Sequence, residues 1–441
     1  MNKKIFGTDG IRNLSSDKIF NDHSLSILSR SLLKDKNNLK IVIARDTRES
    51  SQKIEKILVK NLVNNGGKVY LAGLIPTPVL SYIVKSLKYD LGIVISASHN
   101  QYNYNGLKFF NKKGEKISFK EEKKIEKYFF NPGKNRTIIG KKGNIFKSNK
   151  LSNNYVKKLV SIFKNKIKLN NHKIIIDCAN GATFKIIKTI YKKLKINCVY
   201  INDKPNGKNI NLNCGSLFPN NLKKKVLSMS ADFGISFDGD GDRLICCDEV
   251  GNIIDGDKIL SSLIKFFYKK KKIKCVVGTL MSNKGFEDFV KDLGIKFYRS
   301  NVGDRFVYDL IKKKKGFIGG EQSGHIILNN FGPSGDGILI ATYLLMILSL
   351  SGEKASDIFE NYKNYHQYQE NIFFKDSNKL KKIKFINFLK NHNNKLINGN
   401  RVLVRLSGTE PVIRLLIEGR KFSIINNLAK LLKTRIKKLI K

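Results

Sequence analysis

The sequence is poor in cysteine, and its few cysteines form no recognisable framework. Six of the 441 residues are cysteines, with no CxxC pair among them and no histidine at zinc-ligand spacing. A structural zinc site and a disulfide-stapled fold are therefore both disfavoured. Free thiols fit a reducing compartment, so we expect a cytoplasmic protein. The six are Cys178, Cys198, Cys214, Cys246, Cys247 and Cys275.

Long apolar segments are also lacking. The first residues, MNKKIFGTDGIRN, reach glycine too soon to form the apolar core of a signal peptide. The longest apolar stretch, Ile338–Leu350, is too short to span a bilayer and predicts a buried helix. We therefore expect no membrane partner.

Acidic side chains are scarce, since 36 Asp and Glu stand against 83 Lys and Arg and give a formal net charge of +47. Such an excess suggests nucleic acid or an anionic membrane as a partner. The surplus, however, is lysine scattered in runs such as 269–272 and 312–315, amid abundant asparagine and isoleucine. That pattern is typical of drift in an AT-rich coding sequence, whereas nucleic-acid readers favour arginine and aromatics grouped on a platform. Nucleic-acid binding is kept as a competing class, and we expect no nucleic-acid partner.

Arginine is rare, with 13 residues against 70 lysines. This chain uses lysine where a simple positive charge suffices, so each arginine is a candidate for bidentate binding of a carboxylate or phosphate. Six of them lie in unusual segments: Arg12, Arg48, Arg243, Arg305, Arg405 and Arg414.

A candidate nucleophile follows the apolar run Leu91–Ile95, which predicts a buried strand. The run leads into Ser96-Ala97-Ser98-His99-Asn100, where a loop at the end of a sheet is expected. A serine hydroxyl on such a rigid support can act as a nucleophile, and His99 and Lys108 are nearby groups that can manage its proton or charge. The alternative is a polar turn that caps a following helix.

Strand and helix patterns alternate from Leu39 onward, which predicts α/β domains. The alternation restarts after a lysine- and asparagine-rich passage near residues 131–154, and again after about residue 255. From about His366 it gives way to a smaller unit of strands with a basic C-terminal helix. We predict three α/β domains, 1–150, 151–252 and 253–365, and a smaller α+β domain, 366–441.

A candidate metal site follows the predicted strand Asp232–Phe237. Three carboxylates alternate with glycines in Asp238-Gly239-Asp240-Gly241-Asp242-Arg243, so they can converge on one hard cation, and Mg²⁺ is a good candidate. An EF-hand is the main alternative, and Glu249 does occupy its twelfth position. Arg243 stands where that loop requires glycine, and strand-like runs replace the flanking helices. A solvated acidic turn is disfavoured because clustered carboxylates repel one another.

Two later loops and the first segment offer binding groups. Glu321 and Ser323, in a glycine-framed loop, point the same way if the backbone is extended and could hold vicinal hydroxyls. The alternatives here are a plain hairpin turn and a structural role for His325. Near the C-terminus, a loop offers hydroxyls, free backbone N–H groups and arginines, which suit the binding of a phosphate. These groups belong to Arg405, Ser407, Gly408, Thr409 and Arg414. A turn capped by hydroxyls is the alternative. Arg12 is a further candidate anion contact.

Together these loops suit a sugar phosphate whose phosphoryl group is moved. Five segments occur in the order FGTDGIR, ISASHN with NGLKFF, FDGDGDR, GGEQSGH and RLSGTEPVIR. In this order and spacing, over essentially the whole chain, they closely resemble those of the α-D-phosphohexomutases. The resemblance implies a four-domain α/β enzyme around a central cleft, with three similar α/β domains, a smaller C-terminal α+β domain and Mg²⁺ as cofactor.

The resemblance also implies residue roles. Ser98 would be the phosphoserine and would hold Mg²⁺ through its phosphate with Asp238, Asp240 and Asp242. Lys108, His99 and Arg12 would lie at the reacting hydroxyl as general acid or base or as charge stabilisers. Glu321 and Ser323 would bind the sugar hydroxyls. Arg243 would also contact the substrate. The C-terminal loop would bind the substrate phosphate through Arg405, Ser407, Gly408, Thr409 and Arg414.

Within the family, the sequence looks most like members that interconvert glucosamine 6-phosphate and glucosamine 1-phosphate through a 1,6-bisphosphate, on the route to UDP-N-acetylglucosamine for the cell wall. Phosphomannomutase or phosphoglucomutase activity is the alternative, and a phosphatase with Asp238 as nucleophile is a third. Asn13, Gln101 and Leu406 depart from the usual family residues without removing a chemical group from the site. Oligomeric state is left open, with a homodimer among the alternatives.

Overall fold

The protein folds into four units, each built on one sheet. The computed structural model describes residues 4–34, 38–132, 142–148, 150–169, 171–270, 272–374, 380, 383–407 and 411–440. Within these ranges the first, second, third and C-terminal units follow one another along the chain.

The first unit has a six-stranded sheet of β1 (Ile11–Leu14), β2 (Lys40–Arg45), β3 (Lys68–Leu74), β4 (Leu91–Ile95), β5 (Tyr104–Asn111) and β6 (Ile145–Lys147). Its spatial order is β1-β5-β4-β2-β3-β6. Strand β2 runs parallel to β3 and β4, whereas β5 runs antiparallel to β4 and β1. The helices are α1 (Asp22–Leu33), α2 (Glu49–Asn64), α3 (Thr77–Ser86) and α4 (Phe119–Phe130), with a short 3₁₀ turn at Lys18–Phe20.

The second unit has a five-stranded sheet of β7 (Ile174–Asp177), β8 (Cys198–Ile201), β9 (Phe233–Phe237), β10 (Leu244–Asp248) and β11 (Ile253–Ile254), in the order β11-β10-β9-β7-β8. Strand β9 is parallel to β7 and antiparallel to β10. Three helices cover the sheet: α5 (Asn153–Phe163), α6 (Thr183–Leu194) and α7 (Pro219–Ser228).

The third unit has a four-stranded sheet of β12 (Cys275–Thr279), β13 (Lys296–Ser300), β14 (Ile318–Gly320) and β15 (Ile326–Leu328), in the order β13-β12-β14-β15. Strand β14 is parallel to β12 and antiparallel to β15. The helices are α8 (Gly256–Tyr268), α9 (Lys284–Asp292), α10 (Asp304–Lys314), α11 (Gly337–Ser351) and α12 (Ala355–Phe359).

The C-terminal unit is an antiparallel sheet of β16 (His366–Phe373), β17 (Lys395–Ile397), β18 (Asn400–Leu406) and β19 (Val412–Gly419), in the order β16-β19-β18-β17. It carries helices α13 (Ile383–His392) and α14 (Phe422–Ile440). Three α/β units followed by this smaller one confirm the predicted fold class.

Alternating side chains explain why the first sheet is buried on both faces. In β2, Ile41 and Ile43 enter one core with α1 and α2. Val42 and Ala44 enter another core, which continues into the second and third units. Helices on both faces of a parallel sheet produce such continuous apolar strands. The C-terminal unit encloses a core of its own, around residues such as Phe385 and Ile417.

The apolar stretch Ile338–Leu350 lies within α11, as predicted, and most of it is buried; Leu345, for example, is 0% exposed. Among the helices that the structure describes, none has the length and apolar character needed to cross a membrane.

One arrangement recurs in the first three units. A strand parallel to its neighbour reverses into an antiparallel partner, from β4 to β5, from β9 to β10 and from β14 to β15. Each reversal holds one of the loops singled out by sequence: the Ser98 loop, the Asp238–Arg243 loop and the Glu321–His325 loop. Ligand sites in α/β folds lie beyond the carboxyl ends of parallel strands, which is where these loops stand.

Candidate active site

Ser98 lies in the loop that joins β4 to β5. Its hydroxyl donates to Oδ2 of Asp238 at 2.6 Å, and its Oγ lies 3.4 Å from Nδ1 of His99. The side chain is 1% exposed, and its backbone φ of +51° falls in the left-handed region. That conformation costs a residue with a side chain about 1–2 kcal/mol, so the surrounding contacts must impose it.

Arg48, at the start of α2, provides most of those contacts. Its fully buried guanidinium donates to four carbonyl oxygens of the loop, those of Ser98 (3.0 Å), Asn100 (2.8 Å), Tyr104 (3.2 Å) and Gln101. Asp46 accepts from Nε of Arg48 at 2.7 Å and neutralises the buried charge. A planar fork of five N–H donors can bridge several carbonyls in this way, and a lysine ammonium cannot.

A second anchor for the loop comes from the second unit. Nδ2 of the buried Asn211 donates to the carbonyl oxygens of Ser98 at 2.8 Å and Asn100 at 2.9 Å. The Asp238 loop belongs to the same unit. The serine is therefore positioned jointly by the first and second units.

The three aspartates of the predicted metal loop do converge. Asp238, Asp240 and Asp242 are buried, and each offers a carboxylate oxygen within 4.8 Å of the others. Lys108, on β5, places Nζ 2.7 Å from Oδ2 of Asp240 and 2.9 Å from Oδ2 of Asp242. Oδ1 of Asp240 and Oδ1 of Asp242 are buried without a hydrogen-bond partner.

These orphaned oxygens and the local charge balance fit a divalent cation. Burial raises the pKa of Asp238 well above its ordinary value, and the neighbouring charges of Asp242 and Asp240 raise it further. Burial also opposes ionisation of Asp240, but Lys108 outweighs it and holds the pKa of Asp240 below its ordinary value. A cation bound through oxygen ligands would relieve the remaining repulsion and satisfy both Oδ1 atoms.

Glu249, at the twelfth position of the rejected EF-hand pattern, points elsewhere. Its carboxylate accepts from the backbone N–H of Ser356 at 3.1 Å and from the Ser356 hydroxyl at 2.5 Å. Glu249 follows β10 and lies beyond the strand from the aspartates, so the structure agrees with the sequence argument against an EF-hand.

The three groups proposed near the reacting hydroxyl differ in charge. Burial lowers the pKa of His99 to about 4, and the positive Arg243 and Arg12 lower it too, so His99 is neutral at neutral pH. Burial alone would lower the pKa of Lys108, but Asp240, Asp242 and Asp9 outweigh it and raise that pKa well above its ordinary value. Arg12 donates to Oδ1 of Asn100 at 3.0 Å.

The sugar-binding candidates differ in exposure. Glu321 is 6% exposed, and its Oε1 accepts from the backbone N–H of Gly303 at 2.9 Å, whereas Ser323 is exposed. Gly324 has a φ of +88°, and a Cβ there would lie 1.9 Å from the carbonyl oxygen of Leu244, so only glycine fits. That close approach places the Glu321–His325 loop against the second unit.

Arg243 connects the Asp238–Arg243 loop to the Glu321–His325 loop. Its backbone pairs with that of His325 across the two units. Burial would lower the pKa of Arg243, but the carboxylates of Asp242, Asp238 and Glu321 outweigh burial and raise it. The guanidinium of Arg243 therefore interacts electrostatically with carboxylates of both loops.

The C-terminal loop presents two arginines opposite one another, since Arg405 of β18 is the register partner of Arg414 of β19. Burial lowers the pKa of Arg405, and the neighbouring charge of Arg414 lowers it further. The backbone N–H of Ser407 donates to the carbonyl of Val412 at 2.9 Å. Gly408 and Thr409, two of the predicted phosphate ligands, lie outside the described residues.

Several residues near the site were not among the sequence candidates. Arg48 was only one of the six arginines in unusual segments, and Asn211 had no signal beyond a loop rich in proline, glycine and asparagine. Asp9 lies in FGTDGIR, and its Oδ2 is 3.1 Å from Nζ of Lys108. Lys116 donates to Asp9, but nothing distinguishes it in a chain with 70 lysines.

Four family descriptions match the chain in order. They are the phosphoglucomutase/phosphomannomutase α/β/α domain I at residues 3–136, domain II at 153–251, domain III at 255–365 and the C-terminal domain at 371–433.

Solved structures agree on the fold. A phosphoglucomutase/phosphomannomutase family protein from Burkholderia thailandensis superposes with a TM-score of 0.83 at 21% identity, covering 99% of this chain and 97% of its own. An N-acetylphosphoglucosamine mutase from Aspergillus fumigatus, crystallised with GlcNAc-6P and magnesium, gives 0.66 at 17% identity over 100% of this chain and 96% of its own.

Curated relatives match at higher identity. A phosphoglucosamine mutase from Pelagibacter ubique is 42% identical, covering 99% of this chain and 100% of its own. One from Nautilia profundicola is 40% identical over 99% of both chains, and one from Campylobacter concisus is 37% identical over 96% of both. The chain therefore belongs to the phosphoglucosamine mutase family of the α-D-phosphohexomutases, as its five motifs indicated.

Proposed function

We propose that this protein interconverts glucosamine 6-phosphate and glucosamine 1-phosphate, with Ser98 as the residue that carries the phosphoryl group. The observation that carries the proposal is the 2.6 Å hydrogen bond from the Ser98 hydroxyl to Asp238, which joins the serine of the first unit to the acidic cluster of the second. The curated relatives of the same length bear the name of this activity.

The reaction is balanced by two phosphoryl transfers in opposite directions, so that Ser98 is phosphorylated again at the end. Phospho-Ser98 donates its phosphoryl group to the free hydroxyl of the sugar phosphate, so the bond to Oγ breaks and a 1,6-bisphosphate forms. The hydroxyl loses a proton as it attacks, and Oγ of Ser98 is left as an oxyanion. The bisphosphate then turns end for end, and its other phosphoryl group returns to Ser98.

The residues beside Ser98 suit the charge that moves. Lys108 stays protonated, because its pKa is raised, and it can stabilise charge on the transferring group. His99 is neutral, so it can accept a proton from the attacking hydroxyl and return it to the sugar oxygen that leaves in the second transfer. Arg12 lies beside the same loop through Asn100 and completes the positive side of the site.

Mg²⁺ is the cofactor that this site fits. Asp238, Asp240 and Asp242 would hold it together with the phosphate of Ser98. When bound, the ion supplies charge neutralisation at the phosphoryl group. The protein residues orient the serine and the attacking hydroxyl around that position.

The other loops are assigned to the two ends of the substrate. Glu321 and Ser323 would bind the sugar hydroxyls, with Arg243 between them and the metal loop. Arg405 and Arg414 are register partners on adjacent strands, and two guanidinium groups side by side suit the binding of a phosphate. Ser407, Gly408 and Thr409 would complete the phosphate-binding loop.

Compartment and domain limits complete the proposal. All six cysteines are free thiols, which supports a reducing, cytoplasmic setting. We propose domain limits at 1–150, 151–252, 253–365 and 366–441, with strand β11 (Ile253–Ile254) of the second sheet lying just past the second limit.

A coupled assay with three sugar phosphates tests the substrate. We expect faster turnover of glucosamine 1-phosphate than of glucose 1-phosphate or mannose 1-phosphate. The three sugar phosphates differ only in their hydroxyl groups and in the amino group, so the site would have to distinguish them by these groups. Equal or better turnover of glucose 1-phosphate would contradict this assignment and favour a phosphoglucomutase.

Replacing Ser98 tests the chemical route. Ser98→Ala should have no measurable mutase activity, because the phosphoryl carrier is gone, and mass spectrometry of the unaltered protein should find phosphate on Ser98. Ser81→Ala removes an equally buried hydroxyl of the first unit and should stay active. An active Ser98→Ala protein would instead support a phosphatase that uses Asp238.

Metal removal tests the acidic cluster. Activity should disappear after dialysis against EDTA and return with Mg²⁺. Asp240→Asn should need at least about tenfold more Mg²⁺ for half-maximal rate, since it removes a charged ligand. Glu249→Gln is the matched control, because Glu249 binds Ser356 instead, and its Mg²⁺ requirement should not change. Equal responses of the two variants would rule out the proposed ligand set.

We also assign Arg48 to positioning Ser98, through the four carbonyls that it binds. Arg48→Lys keeps the charge beside Asp46 but cannot bridge those carbonyls, so kcat should fall about 100-fold, as for a misplaced nucleophile. Arg45→Lys is the control, since Arg45 pairs with Glu55 away from the loop at 3.1 Å. A kcat for Arg48→Lys equal to that of the control would show that the loop keeps its shape without this guanidinium.

A further inference from the structure

A buried lysine without a part in the reaction described above lies where the first and third units meet. Lys116 follows β5, and its side chain is 10% exposed. Its Nζ donates to Oδ1 of Asp9 and to Oδ2 of Asp304. Asp9 precedes β1, and Asp304 is the first residue of α10. One ammonium group thus joins the N-terminal segment of the first unit to the third unit.

Asp9 divides its two oxygens between this lysine and the reacting site. Oδ1 faces Lys116, whereas Oδ2 lies 3.1 Å from Nζ of Lys108 and 3.4 Å from Nη2 of Arg12. A carboxylate held at one oxygen has a fixed plane, which fixes the direction of the other. The position of Lys116 therefore sets the direction of the Asp9 oxygen that faces Lys108 and Arg12.

The charge of Lys116 is needed as well as its shape. Burial alone would lower the pKa of Lys116, but Asp304 and Asp9 outweigh burial and raise it. Burial opposes ionisation of Asp304 too, and the charge of Lys116 outweighs it and lowers the pKa of Asp304. Removing the ammonium would leave two partly buried carboxylates facing each other, which is unfavourable.

Other polar pairs hold the same two units together without reaching Asp9. Arg305 of α10 binds Glu122 of α4 through both terminal guanidinium nitrogens, Nη1 and Nη2, and Lys312 binds Glu115 at 2.7 Å. Within the described residues, no hydrogen bond or salt bridge joins either pair to Asp9. Several contacts thus hold the two units together. Among these contacts, it is Lys116 that binds Asp9, which in turn pairs with Lys108.

Asp304, the partner of Lys116 in the third unit, lies beside the Glu321–His325 loop. Oδ2 of Asp304 is 3.4 Å from Nε2 of His325, the last residue of the Glu321–His325 loop. The loop that would bind the sugar and the cations that would act on its hydroxyl are therefore connected through Asp304, Lys116 and Asp9.

We infer that Lys116 is a positioning residue for phosphoryl transfer: it fixes Asp9, and so Lys108 and Arg12, against the docked third unit through Asp304. The inference rests on the proposed function for the roles of Lys108 and Arg12. Lys116 touches neither substrate nor the reacting atoms in this scheme. Its loss should therefore lower the rate of the chemical step while leaving substrate affinity nearly unchanged.

Four variants of the full chain separate positioning from stability. They are Lys116→Met, Asp304→Asn, the double variant with both changes, and Lys312→Met as a control at the same interface. The kcat, the KM and the thermal unfolding temperature are measured for each, with whichever sugar phosphate the unaltered protein turns over. The double variant removes the carboxylate that Lys116→Met leaves unpaired on the third unit, so it should regain stability without restoring the contact to Asp9.

We expect Lys116→Met to lose about 10- to 100-fold in kcat, with KM changed by less than about threefold. The double variant should unfold close to the temperature of the unaltered protein and keep the same loss in kcat. Asp304→Asn alone keeps an amide oxygen that can accept from Lys116, and it retains the contact between Lys116 and Asp9, so it should keep most of its kcat, as should Lys312→Met.

Recovery of kcat together with stability in the double variant would overturn the inference, because Lys116 would then serve only to balance charge. Failure of Lys116→Met and of the double variant to fold would also overturn it, because Lys116 would then be needed for folding and not for positioning. An unaltered protein that turns over none of the sugar phosphates would refute the proposed function itself, so the two failures are distinguishable.

Discussion

The structure depends on pairing charges that are buried where its units meet. Asp238, Asp240 and Asp242 come from the second unit, and Lys108, which neutralises two of them, comes from the first. A buried carboxylate without a partner is strongly destabilising, whereas a paired one is tolerated. The relative placement of the units is therefore coupled to the electrostatics of the site, and assembling the molecule also assembles the reacting groups.

The sequence predicted those parts of the site that are local in the chain. Strand β4 begins and ends at the predicted residues, and the metal loop converges as its alternating carboxylates suggested, because both features are encoded within a few neighbouring positions. Contacts between distant segments left no such signal. Arg48 binds a loop about fifty residues away, and Asn211 reaches the same loop from another unit.

Lys116 illustrates a different limit. The chain has 70 lysines, and the sequence indicates that most of them are exposed to solvent. Lys116 is covered only because α10 docks against it through Asp304. Scarcity made the arginines informative, whereas abundance concealed the lysines. Gly408 and Thr409 keep only their sequence assignment, since they lie outside the described residues.

The closed core of the C-terminal unit has a consequence for how the chain tolerates change. Its apolar side chains pack among themselves, whereas polar contacts join it to the third unit, such as Arg401 to the carbonyl of Leu280 at 3.0 Å and the backbone N–H of Lys284 to Oε1 of Glu418 at 3.3 Å. Substitutions that repack one core are therefore not transmitted to the other. The unit that carries Arg405 and Arg414 can diverge in sequence, or be exchanged between relatives, at little cost to the folding of the rest.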